Sequence, residues 1–138
     1  MSRRGFLSSA AGAAGLAVLS ACGDGDISAP VRLAILPTGP LVIKVGDFPD
    51  LATPGLFVKV PNRSVAVKRV AASTFDAFSM VCTHQGCEVN IVSKQEFICP
   101  CHSSRFRNDG GVIQGPATQS LGKFTTAYNA ATDELTIT

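Results

Sequence analysis

Cys82-Thr83-His84-Gln85-Gly86-Cys87 and Cys99-Pro100-Cys101-His102-Ser103-Ser104 hold both histidines of this 138-residue chain and four of its five cysteines. Each segment offers one Cys-His pair, Cys82 with His84 and Cys99 with His102, and each carries one additional cysteine, Cys87 or Cys101. On a tight loop both members of a pair reach a single metal. Two thiolates and two imidazoles suit one tetrahedral zinc. They suit equally a 2Fe–2S cluster with the thiolates on one iron and the imidazoles on the other. Zinc leaves Cys87 and Cys101 with no evident task. Gly86, Pro100 and the paired serines favour tight loops over the helix of a zinc finger.

Outward from these boxes, strand signals dominate. Leu41–Val45, Leu56–Val60, Ser64–Val70, Thr74–Met80, Glu88–Val92, Gln95–Cys99, Phe124–Tyr128 and Glu134–Thr138 are short and rich in β-branched or aromatic residues. Gly and Pro punctuate between them, and no long amphipathic helical period follows the first residues. Val65, Val67 and Val70 are expected in the core. The expectation is an all-β fold, a small sandwich of antiparallel sheets with the metal loops at one tip. Residues 37–138 form one domain of about a hundred residues, enough for a modest core.

Cys-Thr-His-x-Gly-Cys followed by Cys-Pro-Cys-His-x-Ser resembles the Rieske iron–sulfur proteins, specifically the disulfide-bearing branch of cytochrome bc complexes. A third element, Gly115-Pro116-Ala117, resembles that family's proline loop, which covers the cluster from a third side. The resemblance spans roughly Pro37 to Thr138. It implies one 2Fe–2S cluster with Cys82 and Cys99 on the inner iron and His84 and His102 on the outer, more exposed one. It also implies a Cys87–Cys101 disulfide, and a Ser104 hydroxyl that hydrogen-bonds a bridging sulfide. Three positions depart from the family pattern. Gln85 stands where Leu is common, Ser103 where Gly is usual, and Phe106 where Tyr commonly bonds a ligand sulfur.

The N-terminus carries address information. Ser2-Arg3-Arg4-Gly5-Phe6-Leu7 reads as a twin-arginine export signal, followed by an Ala/Gly/Ser/Leu stretch. An ordinary secretory signal with two basic residues is the alternative. Export after folding is coherent for a protein whose cluster is inserted first, and it leads to a compartment where disulfides persist. Leu19-Ser20-Ala21-Cys22 resembles a lipobox in which Cys22 is lipidated. The rival is an uncleaved membrane anchor, for which Gly5 to Cys22 offers about eighteen weakly apolar residues. Either way residues 1–22 tether the protein on the outer, periplasmic face of the cytoplasmic membrane. Residues 23–36 follow as a small, polar, turn-prone linker.

Charge removes one partner class. Of twelve basic residues Arg3 and Arg4 belong to the signal, which leaves ten against ten acidic ones. No basic stripe supports nucleic-acid binding. Lys68-Arg69 and Arg105–Arg107 are expected as solvated surface, with Arg105 and Arg107 as candidates for docking a redox partner.

The resemblance implies electron transfer without substrate turnover by this chain alone. Three settings fit. The first is the iron–sulfur subunit of a membrane quinol:cytochrome c oxidoreductase, with a quinol, a cytochrome b and a c-type cytochrome as partners. The second is the Rieske small subunit of an exported molybdenum oxidase of the arsenite oxidase type. The third is a free-standing tethered carrier. Rieske ferredoxins of ring-hydroxylating oxygenases lack the disulfide pair and the export signal.

Replacing two thiolates by neutral imidazoles lowers the negative charge that an added electron must join. Rieske potentials accordingly run from about −150 to +300 mV, against about −400 mV for plant-type ferredoxins. With Ser104 present and Phe106 lacking a hydroxyl, the midpoint is expected in the upper part of that range and below its top. A redox titration checks this, and a value among the plant-type ferredoxins refutes it.

Overall fold

The computed structural model describes residues 39–93 and 96–138; the expected signal or anchor at residues 1–22, including Cys22, and the expected linker at 23–36 lie outside them. Eleven strands are present among the described residues: β1 (Leu41–Lys44), β2 (Phe57–Lys59), β3 (Val65–Ala71), β4 (Thr74–Ser79), β5 (Asn90–Ser93), β6 (Glu96–Ile98), β7 (Arg105–Arg107), β8 (Val112–Gln114), β9 (Lys123–Phe124), β10 (Thr126–Asn129) and β11 (Glu134–Ile137). Two 3₁₀ turns, Val45–Asp47 and Pro49–Ala52, join β1 to β2. The strands make three sheets in the orders β1-β11-β10, β2-β3-β4-β9 and β5-β6-β7-β8. Every pairing is antiparallel.

The sheet β2-β3-β4-β9 lies in the middle, as the alternation of its side chains shows. Val65 and Val67 of β3, with Phe75 and Ala77 of β4, pack into one core with Ile43, Leu135 and Ile137 of the β1-β11-β10 sheet. Ala66 and Phe78 face the opposite way and join Phe57, Phe97 and Phe106 in a second core shared with the β5–β8 sheet. Three rings knit that second core: Phe57 lies 4.6 Å from Phe97 and 6.0 Å from Phe78, centroid to centroid. Such pairs contribute about 0.5–1.5 kcal/mol each beyond area burial. A sheet buried on both faces explains why β3 and β4 carry apolar residues at successive positions.

Eight of the expected strands correspond to observed ones within a residue or two, with three differences. Phe124–Tyr128 is divided at Thr125, whose N–H and C=O bond the main chain of Thr138; this passes the chain from the central sheet to the outer one. Strands β7 and β8 were not anticipated. Val70 is 48% exposed instead of buried, because the β3–β4 register shifts between Arg69 and Ala71 and the bulge turns it outward.

The expectation of solvated surface also fails for Lys68 and Arg69. The Lys68 side chain keeps 11% of its exposure, lies over the Phe57 and Phe78 rings, and donates to Asn108 O at 2.6 Å. Burial pulls its ammonium below the usual lysine range, against the attraction of Asp76. Arg69 donates to Leu51 O at 2.6 Å and stacks on Phe75, pinning the second 3₁₀ turn to β3.

Asp133 organises the outer sheet's hairpin. Its carboxylate accepts the Tyr128 hydroxyl at 2.7 Å and the Gly46 N–H at 2.6 Å. The Tyr128 bond, then the Gly46 bond, hold this carboxyl below the usual range. The same bond to Asp133 pushes the Tyr128 phenol up. Depressed acid and raised phenol make the contribution to stability present between about pH 4 and 10; it is lost as pH falls through the lowered Asp133 value. Asp133→Asn keeps a residue that tolerates the left-handed backbone here (φ 56°) and removes the charge. The variant is expected to melt below the parent at pH 7, with the gap closing toward pH 2.5 in thermal scans. A gap independent of pH contradicts this.

Candidate metal centre

The two Cys/His boxes fold as copies of one six-residue loop. In the first, between β4 and β5, Cys82 N–H donates to Cys87 O (2.7 Å) and Gly86 N–H to Cys82 O (2.9 Å). In the second, between β6 and β7, Cys99 N–H donates to Ser104 O (2.8 Å) and Ser103 N–H to Cys99 O (3.0 Å). The fifth residue of each loop is left-handed: Gly86 has φ 78° and Ser103 φ 62°. Glycine adopts that conformation freely, whereas a side chain there costs about 1–2 kcal/mol. Ser103 therefore holds the same backbone as Gly86, at some strain.

Equivalent loops put equivalent atoms inward. Cys82 and Cys99, each first in its loop, are 0% and 1% exposed and belong to the core with Phe97, Phe106 and Ala117. Their sulfurs interact with each other. Burial pushes the Cys82 thiol up, the backbone N–H groups of His84 and Gln85 pull it down, and the neighbouring Cys99 sulfur adds to the rise. His84 is partly buried and His102 exposed; their ring centroids lie 4.8 Å apart at an interplanar angle of 86°.

One atom points to a group bound beside the thiols. His84 Nδ1 is buried and has no hydrogen-bond partner. A buried polar atom left unpaired is costly unless something outside the protein binds it. Two buried sulfurs, backbone donors aimed at one of them, and two adjacent imidazoles fit a centre with two thiolate and two imidazole ligands. Another grouping, the sulfurs of Cys87, Cys99 and Cys101, lies within 4.8 Å of one another. It is no ligand set, because Cys87 and Cys101 are joined in a disulfide and carry no thiolate.

That disulfide links the end of the first loop to the interior of the second. Gly115-Pro116-Ala117 forms the third wall. Gly115 and Pro116 are exposed and joined by a cis peptide bond, while Ala117 is buried in the same core as the two thiols. Ala117 N–H donates to Ser104 Oγ at 3.0 Å, so the serine hydroxyl anchors this loop and keeps its own hydrogen for another acceptor. Phe106 is fully buried opposite Phe97 in the β6–β7 pairing and has no hydroxyl to donate.

Two supports were not read from the sequence. Thr83 Oγ1 donates to Gln119 O at 2.6 Å and ties the first loop to the segment beyond Ala117. Arg105 pairs with Glu96 across β6 and β7 and buries its Nε, so it is not the free surface cation expected. Arg107 pairs with Asp109 at 3.2 Å on the exposed flank.

Comparison with known proteins agrees with this geometry. The family described as Rieske [2Fe-2S] domain matches residues 41–125. The chain is 44% identical over 62 residues to the chloroplastic cytochrome b6-f complex iron-sulfur subunit of Pisum sativum, a stretch covering 44% of this chain and 26% of that one. It is 47% identical over 55 residues to the cytochrome b6-f complex iron-sulfur subunit of a Cyanothece strain, covering 39% and 29%. The match thus spans less than a third of the length of these relatives. Among solved structures, a quaternary ammonium Rieske monooxygenase with L-carnitine bound superposes with TM-score 0.53 at 22% identity, over 72% of this chain and 31% of that one. This likeness concerns the fold.

Ser104→Ala leaves the buried Ala117 N–H without its acceptor. The expected cost is about 1–3 kcal/mol in chemical denaturation, with faster hydrogen exchange at Ala117. An unchanged denaturation midpoint contradicts the anchoring role.

Proposed function

The chain belongs to the Rieske [2Fe-2S] domain family, and from that premise we propose that Cys82, Cys99, His84 and His102 hold one 2Fe–2S cluster serving electron transfer in a membrane quinol-oxidising complex. Its partners would be a cytochrome b, a c-type cytochrome and a quinol. When bound, the cluster supplies a one-electron couple. The protein's own residues supply the rest. Cys82 and Cys99 place two thiolates in a dry core, where backbone N–H groups of His84 and Gln85 support the Cys82 sulfur. His84 and His102 present imidazoles toward the surface, where a redox partner can approach them. The observation that carries this reading is the buried, unpartnered His84 Nδ1 beside two buried thiols.

The setting is supported by relatives that are iron–sulfur subunits of cytochrome b6-f complexes. A second reading draws on the tip itself. Gln85 and Ser103 are exposed within the two boxes; Gln114, whose amide donates to Ser103 O, and Gln119, whose carbonyl accepts from Thr83, are exposed beside them, as is Pro116. A polar tip suits a protein partner better than an apolar quinol pocket. It favours the small subunit of an exported molybdenum oxidase or a tethered carrier.

Export and anchoring belong to the same proposal. Twin-arginine export places the domain on the periplasmic face, with Cys22 lipidated as the attachment point. No helix among the described residues is long and apolar enough to cross a membrane.

Purification of the native complex from detergent-solubilised membranes tests the setting. Co-migrating cytochrome b and c-type cytochrome are expected. A molybdenum subunit in their place selects the second reading. Mass spectrometry of the same sample is expected to find a lipid-modified N-terminal Cys22, and an intact Met1 or Ser2 overturns the lipid anchor.

A further inference from the structure

The segment from Gly115 to Leu121 enters the thiol core at two points, for Ala117 and Leu121 are both buried with Cys82 and Cys99. Its start is held by Ser104 through Ala117, and its middle by Thr83 through Gln119. Its end is held by the turn between β7 and β8. Leu121 N–H donates to Gly110 O at 2.9 Å, and Gly110 N–H donates in turn to Arg107 O at 2.9 Å. Arg107 N–H closes the same turn a second time, on Gly111 O at 2.7 Å. Gly110 has φ 83°, and a Cβ built on it would stand 3.1 Å from the Phe78 ring. The turn is therefore seated on that ring.

The turn is also gripped from the central sheet. Lys68 of β3 donates to Asn108 O at 2.6 Å, and its ammonium lies 5.0 Å from the Phe57 ring and 5.7 Å from the Phe78 ring. A charged donor makes a hydrogen bond roughly twice as strong as a neutral one. Asp76 does not depend on this lysine: it lies 3.8 Å from Lys68 and 2.7 Å from Lys123, so it keeps a cation if Lys68 is removed. We propose that Lys68 is a positioning residue for the candidate metal centre. By holding Asn108 it fixes the β7–β8 turn, and through Gly110 it fixes Leu121 at the end of the third wall.

The other side of Leu121 is secured separately, since Gly122 O accepts Ser79 N–H at 2.7 Å. Losing the grip of Lys68 thus loosens Leu121 locally and leaves the central sheet paired. This link stands on protein contacts alone. Its consequence for a cluster rests on the ligand assignment proposed above.

The test uses the full-length holoprotein. Lys68→Met keeps the apolar stem and removes the donor, whereas Lys68→Arg keeps a cationic donor. Hydrogen exchange is read by mass spectrometry with fragment resolution at Leu121, and at Leu135 and Ile137 of the outer sheet. Lys68→Met is expected to speed exchange at Leu121 by about tenfold or more relative to the two outer-sheet amides. Lys68→Arg is expected to restore most of the protection. Gly110→Ala keeps Lys68 but pushes the turn off Phe78, and it is expected to speed Leu121 selectively as well. Equal acceleration at all three amides, or unchanged exchange at Leu121 in either Lys68→Met or Gly110→Ala, overturns the link.

Pulsed electron paramagnetic resonance of the reduced cluster in D2O reads the site itself. Deuterium modulation is expected to deepen in Lys68→Met, as water approaches a loosened wall, and to return to the parent depth in Lys68→Arg. Unchanged modulation beside faster Leu121 exchange leaves Lys68 a structural residue only and overturns its role at the site. A parent protein with no reduced-cluster signal defeats the ligand assignment instead, and the exchange pattern still decides the link.

Discussion

In the proposed centre two loops from different strand pairs each contribute one thiol and one imidazole, and the backbone bonds that close each loop give the two contributions the same form. Cys82 and Cys99 donate and accept main-chain hydrogen bonds at equivalent positions of equivalent turns. Their side chains therefore enter the core with the same orientation relative to their loops. The Cys87–Cys101 bond then fixes one loop against the other. Closing a loop of this length in the unfolded chain contributes about 3 kcal/mol in the chain-entropy account. Ser104 adds the proline loop through Ala117, and Thr83 adds the Gln119 segment. The site is held mainly by short connections among its own loops, and it rests on one aromatic core.

That core gives the central sheet its double role. Phe78 and Ala66 face the metal loops, while the alternate residues Val65, Val67, Phe75 and Ala77 face the outer sheet. Lys68 holds its ammonium over the Phe57 and Phe78 rings while donating to Asn108 O, and Gly110 abuts Phe78. A half-buried ammonium is tolerated there because the ring faces attract the cation and a carbonyl accepts its hydrogen. The two Cys/His loops thus stand on the aromatic core that the central sheet shares with the β5–β8 sheet.

Much of this was legible from residue type and spacing. The eight strand signals follow β-branched and aromatic enrichment, while the Cys-His pairing of the boxes leaves zinc and a 2Fe–2S cluster both open and the family resemblance chooses between them. What escaped was decided by tertiary neighbours. Arg105-Phe106-Arg107 looks like basic surface, since one buried phenylalanine between two arginines is a weak period. It becomes a strand because Phe106 faces Phe97 and Arg105 meets Glu96. Val112–Gln114 is too short, and too close to Gly110, Gly111 and Gly115, to read as a strand. Val70 was misplaced by a bulge that alternation cannot reveal. Thr83 sits within the first box, yet its role depends on a carbonyl far along the chain. Ser103 departs from glycine, and the structure shows the backbone retained at the cost of a left-handed side-chain residue.

The central claim is that two imidazoles and two thiolates share one cluster. Pulsed electron paramagnetic resonance on the one-electron-reduced protein, with ¹⁵N-histidine as the labelled nitrogen source, tests it most directly. The account predicts two ¹⁵N nuclei coupled strongly enough for direct ligation, assigned to His84 and His102 because they are the chain's two histidines. A spectrum with no such coupling, or with one alone, contradicts it.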